Sequence, residues 1–174
     1  MKTLHKTRRK FLVNDADLRG VDLKLLDTEL IYLDSKDVKK FQSFVEDRST
    51  NLLDDTEIVL SKVTHNGKIE YWSEIKYDSR GFKDSKIDFE ITEKVYEDIL
   101  KNFTTSKIVK KKFIFNYLRH AFELDLYIEK DIMILSIEPK QEKSLFPIPP
   151  FVSVIKEITE DPNYKILNLV KSGD

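Results

Sequence analysis

The stretch IVKKKFIFNYLRHAFELDLYIEKDIMILSIE, from Ile108 to Glu138, reads as three strands in succession with almost nothing between them. Ile108–Leu118, Ala121–Glu129 and Asp131–Glu138 each have a strand's length, and connections this short join antiparallel neighbours in a meander. Alternation then sorts the charges. Lys110 and Lys112 share a face that Lys111 does not, and Glu123 and Asp125 stand together in the same way, so the meander has an apolar side and an ionic side.

The segments upstream follow the same design. In Lys86-Ile-Asp88-Phe-Glu90-Ile91 the charged residues again alternate with apolar ones. Thr56–Val63 and Ile69–Asp78 flank His65-Asn66-Gly67-Lys68, and Asn-Gly between alternating segments predicts a two-residue hairpin turn, because both positions tolerate positive φ. In the second arm Ile69, Tyr71, Ser73, Ile75 and Tyr77 face one way, and Glu70, Trp72, Glu74 and Lys76 the other. Thr92 is a helix cap for an apolar stripe of Val95, Ile99, Leu100 and Phe103, which predicts a helix over 92–103. At the start, His5–Val13 alternates with Lys6, Arg8 and Lys10 on one face and Arg9, Phe11 and Val13 on the other.

Two regions are less uniform. Leu18, Leu25 and Leu26 suit a helix while Leu30–Leu33 suits a short strand, and Ser35 is placed to cap a helix over 35–48 that carries Val38, Phe41, Phe44 and Val45. Near the end, Pro147, Pro149 and Pro150 exclude regular structure over 145–151. Asp161-Pro162 then starts a short helix over 163–171, with Asp as cap and Pro at the first helical position.

Composition bounds the classes. At 174 residues the chain fits one domain, 1–174. The 30 Lys and Arg nearly cancel the 31 Asp and Glu. A net charge of −1 gives duplex nucleic acid no basic coat to bind, though segregated patches remain compatible with it. The absence of cysteine excludes disulfides and thiolate metal sites and fits a reducing, cytoplasmic setting. No segment reads as a signal peptide or membrane span.

Seven or eight mostly sequence-adjacent strands and about three helices define an α+β fold. Antiparallel strands in that number close into a barrel or curl strongly. The ionic faces then either line an interior or meet solvent, which is the ordinary neighbour of a polar strand face.

The order of the strands resembles the CYTH, or triphosphate tunnel metalloenzyme, family, which includes class IV adenylate cyclases, thiamine triphosphatases and tripolyphosphatases. The resemblance rests on Lys10-Phe-Leu-Val13, Glu74-Ile-Lys76, Lys86-Ile-Asp88-Phe-Glu90-Ile91, Lys110-Lys-Lys112-Phe113, Glu123-Leu-Asp125-Leu-Tyr127, Ile137-Glu138 and Glu157-Ile-Thr-Glu-Asp-Pro-Asn-Tyr164. It spans most of the chain, apart from an expansion around 18–55. It implies an eight-stranded antiparallel tunnel in which inward Arg and Lys hold a triphosphate and inward acids hold Mg²⁺ or Mn²⁺. By position, Lys10, Lys76, Lys86, Lys110 and Lys112 would contact the anion, and Lys6 and Arg8, which stand where the family has acids, would add two further cations to it. Asp125 and Glu138 correspond to metal ligands, with Asp88, Glu90 and Glu123 as helpers, and the ion would be weakly held.

The sequence also departs from the family. Where the opening strand should carry Glu-x-Glu-x-Lys it has Lys6, Arg8 and Lys10. Ser136 replaces an acid two residues before Glu138, Glu57–Lys62 lacks an expected pair of arginines, and an expected Asn is Ile166. Three functions remain open. The chain is a divergent binder of a nucleotide, triphosphate or other phosphorylated anion with weakened or absent metal-dependent catalysis, an active Mg²⁺- or Mn²⁺-dependent triphosphatase or nucleotidyl cyclase with a rearranged site, or a non-catalytic module for a protein partner. The histidines His5, His65 and His120 lack metal-ligand spacing. Trp72 and the phenylalanines suit core or rim packing better than base stacking, and no Gly-rich phosphate loop occurs.

Overall fold

A computed structural model describes residues 8–38, 40–41, 56–79, 82–138 and 145–171. Among them are nine strands: β1 (Arg9–Ala16), β2 (Leu23–Leu33), β3 (Glu57–His65), β4 (Lys68–Ser79), β5 (Phe82–Glu90), β6 (Thr105–Tyr117), β7 (His120–Tyr127), β8 (Ile132–Ile137) and β9 (Val152–Glu157). The α-helices α1 (Glu93–Asn102) and α2 (Ile166–Lys171) accompany them, and residues 38, 40 and 41 are also α-helical. The strands form a sheet in the hydrogen-bonding order β5-β4-β3-β2-β6-β7-β8-β1-β9. The α+β class with an antiparallel sheet and few helices is as expected. By contacts the chain divides into two compact units, one of Met1–Thr28 with Val109–Asp174 and one of Glu29–Ile108.

In the unit of residues 29–108, β3 and β4 form the expected hairpin, with Asn66 at φ 49° and Gly67 at φ 77° in its turn. Partners across the ladder share a face. Ile58 with Ile75 and Leu60 with Ser73 therefore point toward the core, while Glu57 with Lys76 points away from it. Helix α1 packs on the apolar side. The Thr92 hydroxyl accepts from the Val95 amide at 3.2 Å, and Tyr96, Ile99 and Phe103 join Ile31, Leu33, Val38, Phe41, Ile58, Leu60, Tyr71 and Ile75. Each side chain of that size, once buried, contributes about 1.5–3 kcal/mol.

In the other unit, β6, β7, β8 and β1 put Phe115, Phe122, Leu124, Leu135, Ile137, Phe11 and Val13 on one side. The proline-rich segment 145–151 is irregular as expected, and it lies on this core through Phe146, Ile148 and Phe151. The Phe146 ring stands edge-on to Phe11 at 6.0 Å and to Phe122 at 6.3 Å. Arg9 fastens the cover. Its guanidinium lies 4.9 Å from the Phe146 ring centre and donates to Glu157 on β9 at 2.8 and 3.0 Å.

Four expectations change. Residues 23–33 form one strand, because buried Thr28, Leu30, Ile31, Tyr32 and Leu33 occupy both faces of it and hide the period of two. The helix expected from Ser35 begins as a 3-10 turn over Ser35–Asp37, where the Asp34 side chain accepts from the Lys36 amide at 3.0 Å, and residues 38, 40 and 41 are α-helical. The rest of the helix expected to 48 lies outside the described residues from 42 onward. At the C-terminus a 3-10 turn over Pro162–Tyr164 precedes α2, with the Asp161 side chain accepting from Asn163. Strand β9, unforeseen after the prolines, adds a ninth strand to the eight expected and pairs with β1 through two register shifts.

The β6–β7 turn places Leu118 at φ 44° and Arg119 at φ 66°, a conformation that L-residues adopt at a cost of roughly 1–2 kcal/mol each. Replacing Leu118-Arg119 by Asn-Gly should raise unfolding free energy by about 1 kcal/mol in urea titrations. An unchanged or lowered value would contradict this account of the turn.

Candidate functional site

The ionic face of the unit of residues 1–28 and 109–174 follows from register. Across β1, β8 and β7, Lys10 lies opposite Ser136 and Ser136 opposite Glu123, while Leu12 lies opposite Ile134 and Ile134 opposite Asp125. Across β7 and β6, Glu123 lies opposite Ile114, Asp125 opposite Lys112, and Tyr127 opposite Lys110. One face of four adjacent strands therefore carries Lys10, Lys110, Lys112, Glu123 and Asp125, with Ser136 among them. Arg8 and Glu138, immediately outside β1 and β8, complete the set.

Arg8 is the hub. Its Nη1 and Nη2 donate to the two Glu123 carboxylate oxygens at 2.8 and 3.0 Å, and its Nε donates to Glu138 Oε1 at 3.2 Å. Lys112 Nζ adds a bond to Glu123 Oε2 at 2.8 Å. Burial alone would push the Glu123 carboxyl up, but the bond from Arg8 and the charge and bond of Lys112 outweigh it and hold the group at about 2. The hydrogen bond to Glu123 raises the Arg8 guanidinium's affinity for its proton further, against burial. One row along the strands lies a second pair, in which Lys110 Nζ donates to Asp125 Oδ2 at 3.1 Å. Both residues are only 7% exposed. Burial pushes the Lys110 ammonium down, and Asp125 offsets part of that. The Tyr127 ring centre lies 5.6 Å from Lys110 Nζ. Asp125 Oδ1 is buried without a hydrogen-bond partner among the described residues. Such an oxygen forfeits hydration that nothing replaces.

In the unit of residues 29–108, Glu57 lies opposite Lys76, Glu74 opposite Asp88, and Trp72 opposite Glu90, all on the face away from the core. Lys76 Nζ is 3.2 Å from Glu74 Oε1. Lys86 keeps the register opposite Lys76, though its side chain is outside what is described, and Lys6 lies outside the described residues altogether. Lys111 faces away from its neighbours in sequence and approaches Asp27 at 3.8 Å. Ser136 and Tyr127 were not among the candidates; only their places in the β7 and β8 alternation could have pointed to them.

A divalent ion fits this arrangement poorly. Among the described residues no three His, Asp or Glu side chains gather to hold a metal. Both Glu123 oxygens are taken by Arg8, and Glu138 shares the same guanidinium.

No protein-family model and no curated protein sequence matches the chain. Solved structures do. The inorganic triphosphatase NE1496 is 21% identical, covering 94% of this chain and 95% of its own with a TM-score of 0.58. PH1819 from Pyrococcus horikoshii OT3 is 18% identical, covering 79% of each chain with a TM-score of 0.52. The chain has their fold, and the resemblance to the CYTH proteins holds at that level. No described helix is long and apolar enough to cross a membrane.

Two outcomes follow for stability. Glu123 titrates near 2 in the folded chain against 4.5 ordinarily, so its contribution is complete above about pH 4.5 and disappears as pH falls through about 2. Glu123→Gln should therefore lower stability by on the order of 2–3 kcal/mol at pH 7, and the deficit should shrink toward zero near pH 2. A deficit independent of pH in denaturant titrations would contradict this. At the second pair, Lys110→Met leaves a buried carboxylate alone and should cost roughly 3–5 kcal/mol, while Lys110→Met with Asp125→Leu should restore most of the loss. A double variant no more stable than the single one would contradict the pairing.

Proposed function

We propose that the chain binds a phosphorylated small molecule, a nucleotide or a triphosphate, on the ionic face of β1, β6, β7 and β8, with metal-dependent catalysis weakened or absent. The observation that carries the reading is the concentration of Arg8, Lys10, Lys110 and Lys112 on one face, where they share it among the described residues with Glu123, Asp125 and Glu138. Glu138 is the contact most readily surrendered. Its side chain is 52% exposed, and an exposed ion pair contributes little, so a phosphate oxygen can take its place on Arg8. The name of NE1496 as an inorganic triphosphatase supports the same class of ligand. Lys6, Lys76 and Lys86 enter the proposal as further anion contacts, as do the working of residues 1–174 as one domain and a cytoplasmic setting.

Two other readings have some support. Every described acid on this face already has a cation, which suits a self-satisfied lining in a protein-interaction module. The partnerless Asp125 Oδ1 suits an active triphosphatase or nucleotidyl cyclase with Asp125 and Glu138 as ligands of Mg²⁺ or Mn²⁺. That second reading requires Arg8 to leave Glu138. Calorimetric titration with tripolyphosphate and ATP in EDTA separates the three. Metal-independent binding that weakens with salt, and about tenfold or more in Lys112→Ala, is expected for a charge-assisted contact. No binding in EDTA removes the binder, and phosphate release under Mn²⁺ that Asp125→Ala abolishes favours the enzyme.

A further inference from the structure

We infer that Arg8 is a resident cation standing where a divalent ion would bridge Glu123 and Glu138, so that this face excludes Mg²⁺ and Mn²⁺ and acquires a metal site only when Arg8 is removed. Glu123 lies on β7, and Glu138 immediately follows the neighbouring strand β8. Glu123 lies opposite Ser136, two residues before Glu138, so both carboxylates project from the same face. Two carboxylates drawn to one centre repel unless a cation lies between them. The guanidinium is that cation, since it gives two donors to Glu123 and a third to Glu138. It remains charged at every accessible pH and is tethered to the chain. A hydrated metal would have to displace it and also compete with Lys112 for Glu123 Oε2.

Removal of Arg8 changes the chemistry of the same atoms. Glu123 and Glu138 become two hard oxygen ligands without their shared counter-ion. Asp125 lies two residues from Glu123 on the same face and offers the partnerless Oδ1. Mg²⁺ and Mn²⁺ keep several waters, so one or two carboxylates suffice to bind them. The inference goes beyond the proposed anion binding and does not depend on it, because it concerns the metal alone.

The test is a Mn²⁺ titration of the full chain in chloride buffer without phosphate, read by thermal unfolding and by water-proton relaxation. Wild type and Arg8→Lys should show no Mn²⁺-dependent rise in midpoint. Arg8→Gln should bind one Mn²⁺ and gain about 3 °C or more at saturation, and Arg8→Gln with Glu123→Gln should lose that gain. Wild-type binding as tight as that of Arg8→Gln overturns the inference, as does a folded Arg8→Gln that binds none. Where Arg8→Gln fails to fold, wild type decides by paramagnetic broadening of amide signals. Broadening centred on Glu123 and Glu138 overturns the inference, and its absence there at millimolar Mn²⁺ supports it.

Discussion

A carboxylate in the middle of a four-strand row cannot keep its charge without a cation of matching reach, and Glu123 meets that constraint through Arg8 and Lys112. Its side chain is 21% exposed, so water alone does not solvate it. The strand pairings answer with a bidentate guanidinium from before β1 and an ammonium from β6. The guanidinium contact joins segments far apart in sequence, Arg8 and Glu123 being 115 residues from each other. A slip of one residue in any of these strands would send the charges to the apolar side and the phenylalanines to the ionic side. The ion pairs and the apolar packing therefore specify the same register.

The apolar side is packed with aromatic rings. Phe115 and Phe122 stack at 5.7 Å across β6 and β7, and the proline-rich cover seals them from above. Prolines lack the amide that a ladder would need, so the segment covers the core without extending the sheet. Arg9 couples this cover to β9 by stacking on Phe146 while binding Glu157. Consecutive arginines thus have separate roles, Arg8 on the ionic face and Arg9 on the apolar one, because successive side chains of an extended chain point to opposite faces.

Most of this is legible in the amino-acid sequence. The Asn66-Gly67 turn, the Thr92 cap and the two-sided meander all have local causes, namely positive φ, a hydroxyl within reach of a free amide, and a period of two. What was not legible has nonlocal causes. In β2 the apolar residues occupy both faces, so local pattern could not separate helix from strand. Strand β9 pairs with β1 and carries the Arg9–Glu157 bond, contacts between segments far apart in sequence. At the site, alternation correctly put Lys110 with Lys112 and Glu123 with Asp125, whereas partner choice required the fold. The sequence alone could not say that one guanidinium engages two acids, that Asp125 pairs with Lys110, or that Asp125 Oδ1 has no hydrogen-bond partner among the described residues.

The most direct test of the account is a double-mutant cycle on Arg8→Gln and Glu123→Gln, measured by denaturant unfolding at pH 7. A bidentate, half-buried pair predicts a coupling energy of about 1.5–3 kcal/mol that survives moderate salt. A coupling near zero, or one that vanishes as salt is added, would mean that Arg8 and Glu123 behave as an ordinary surface pair and would contradict the central place given to them here.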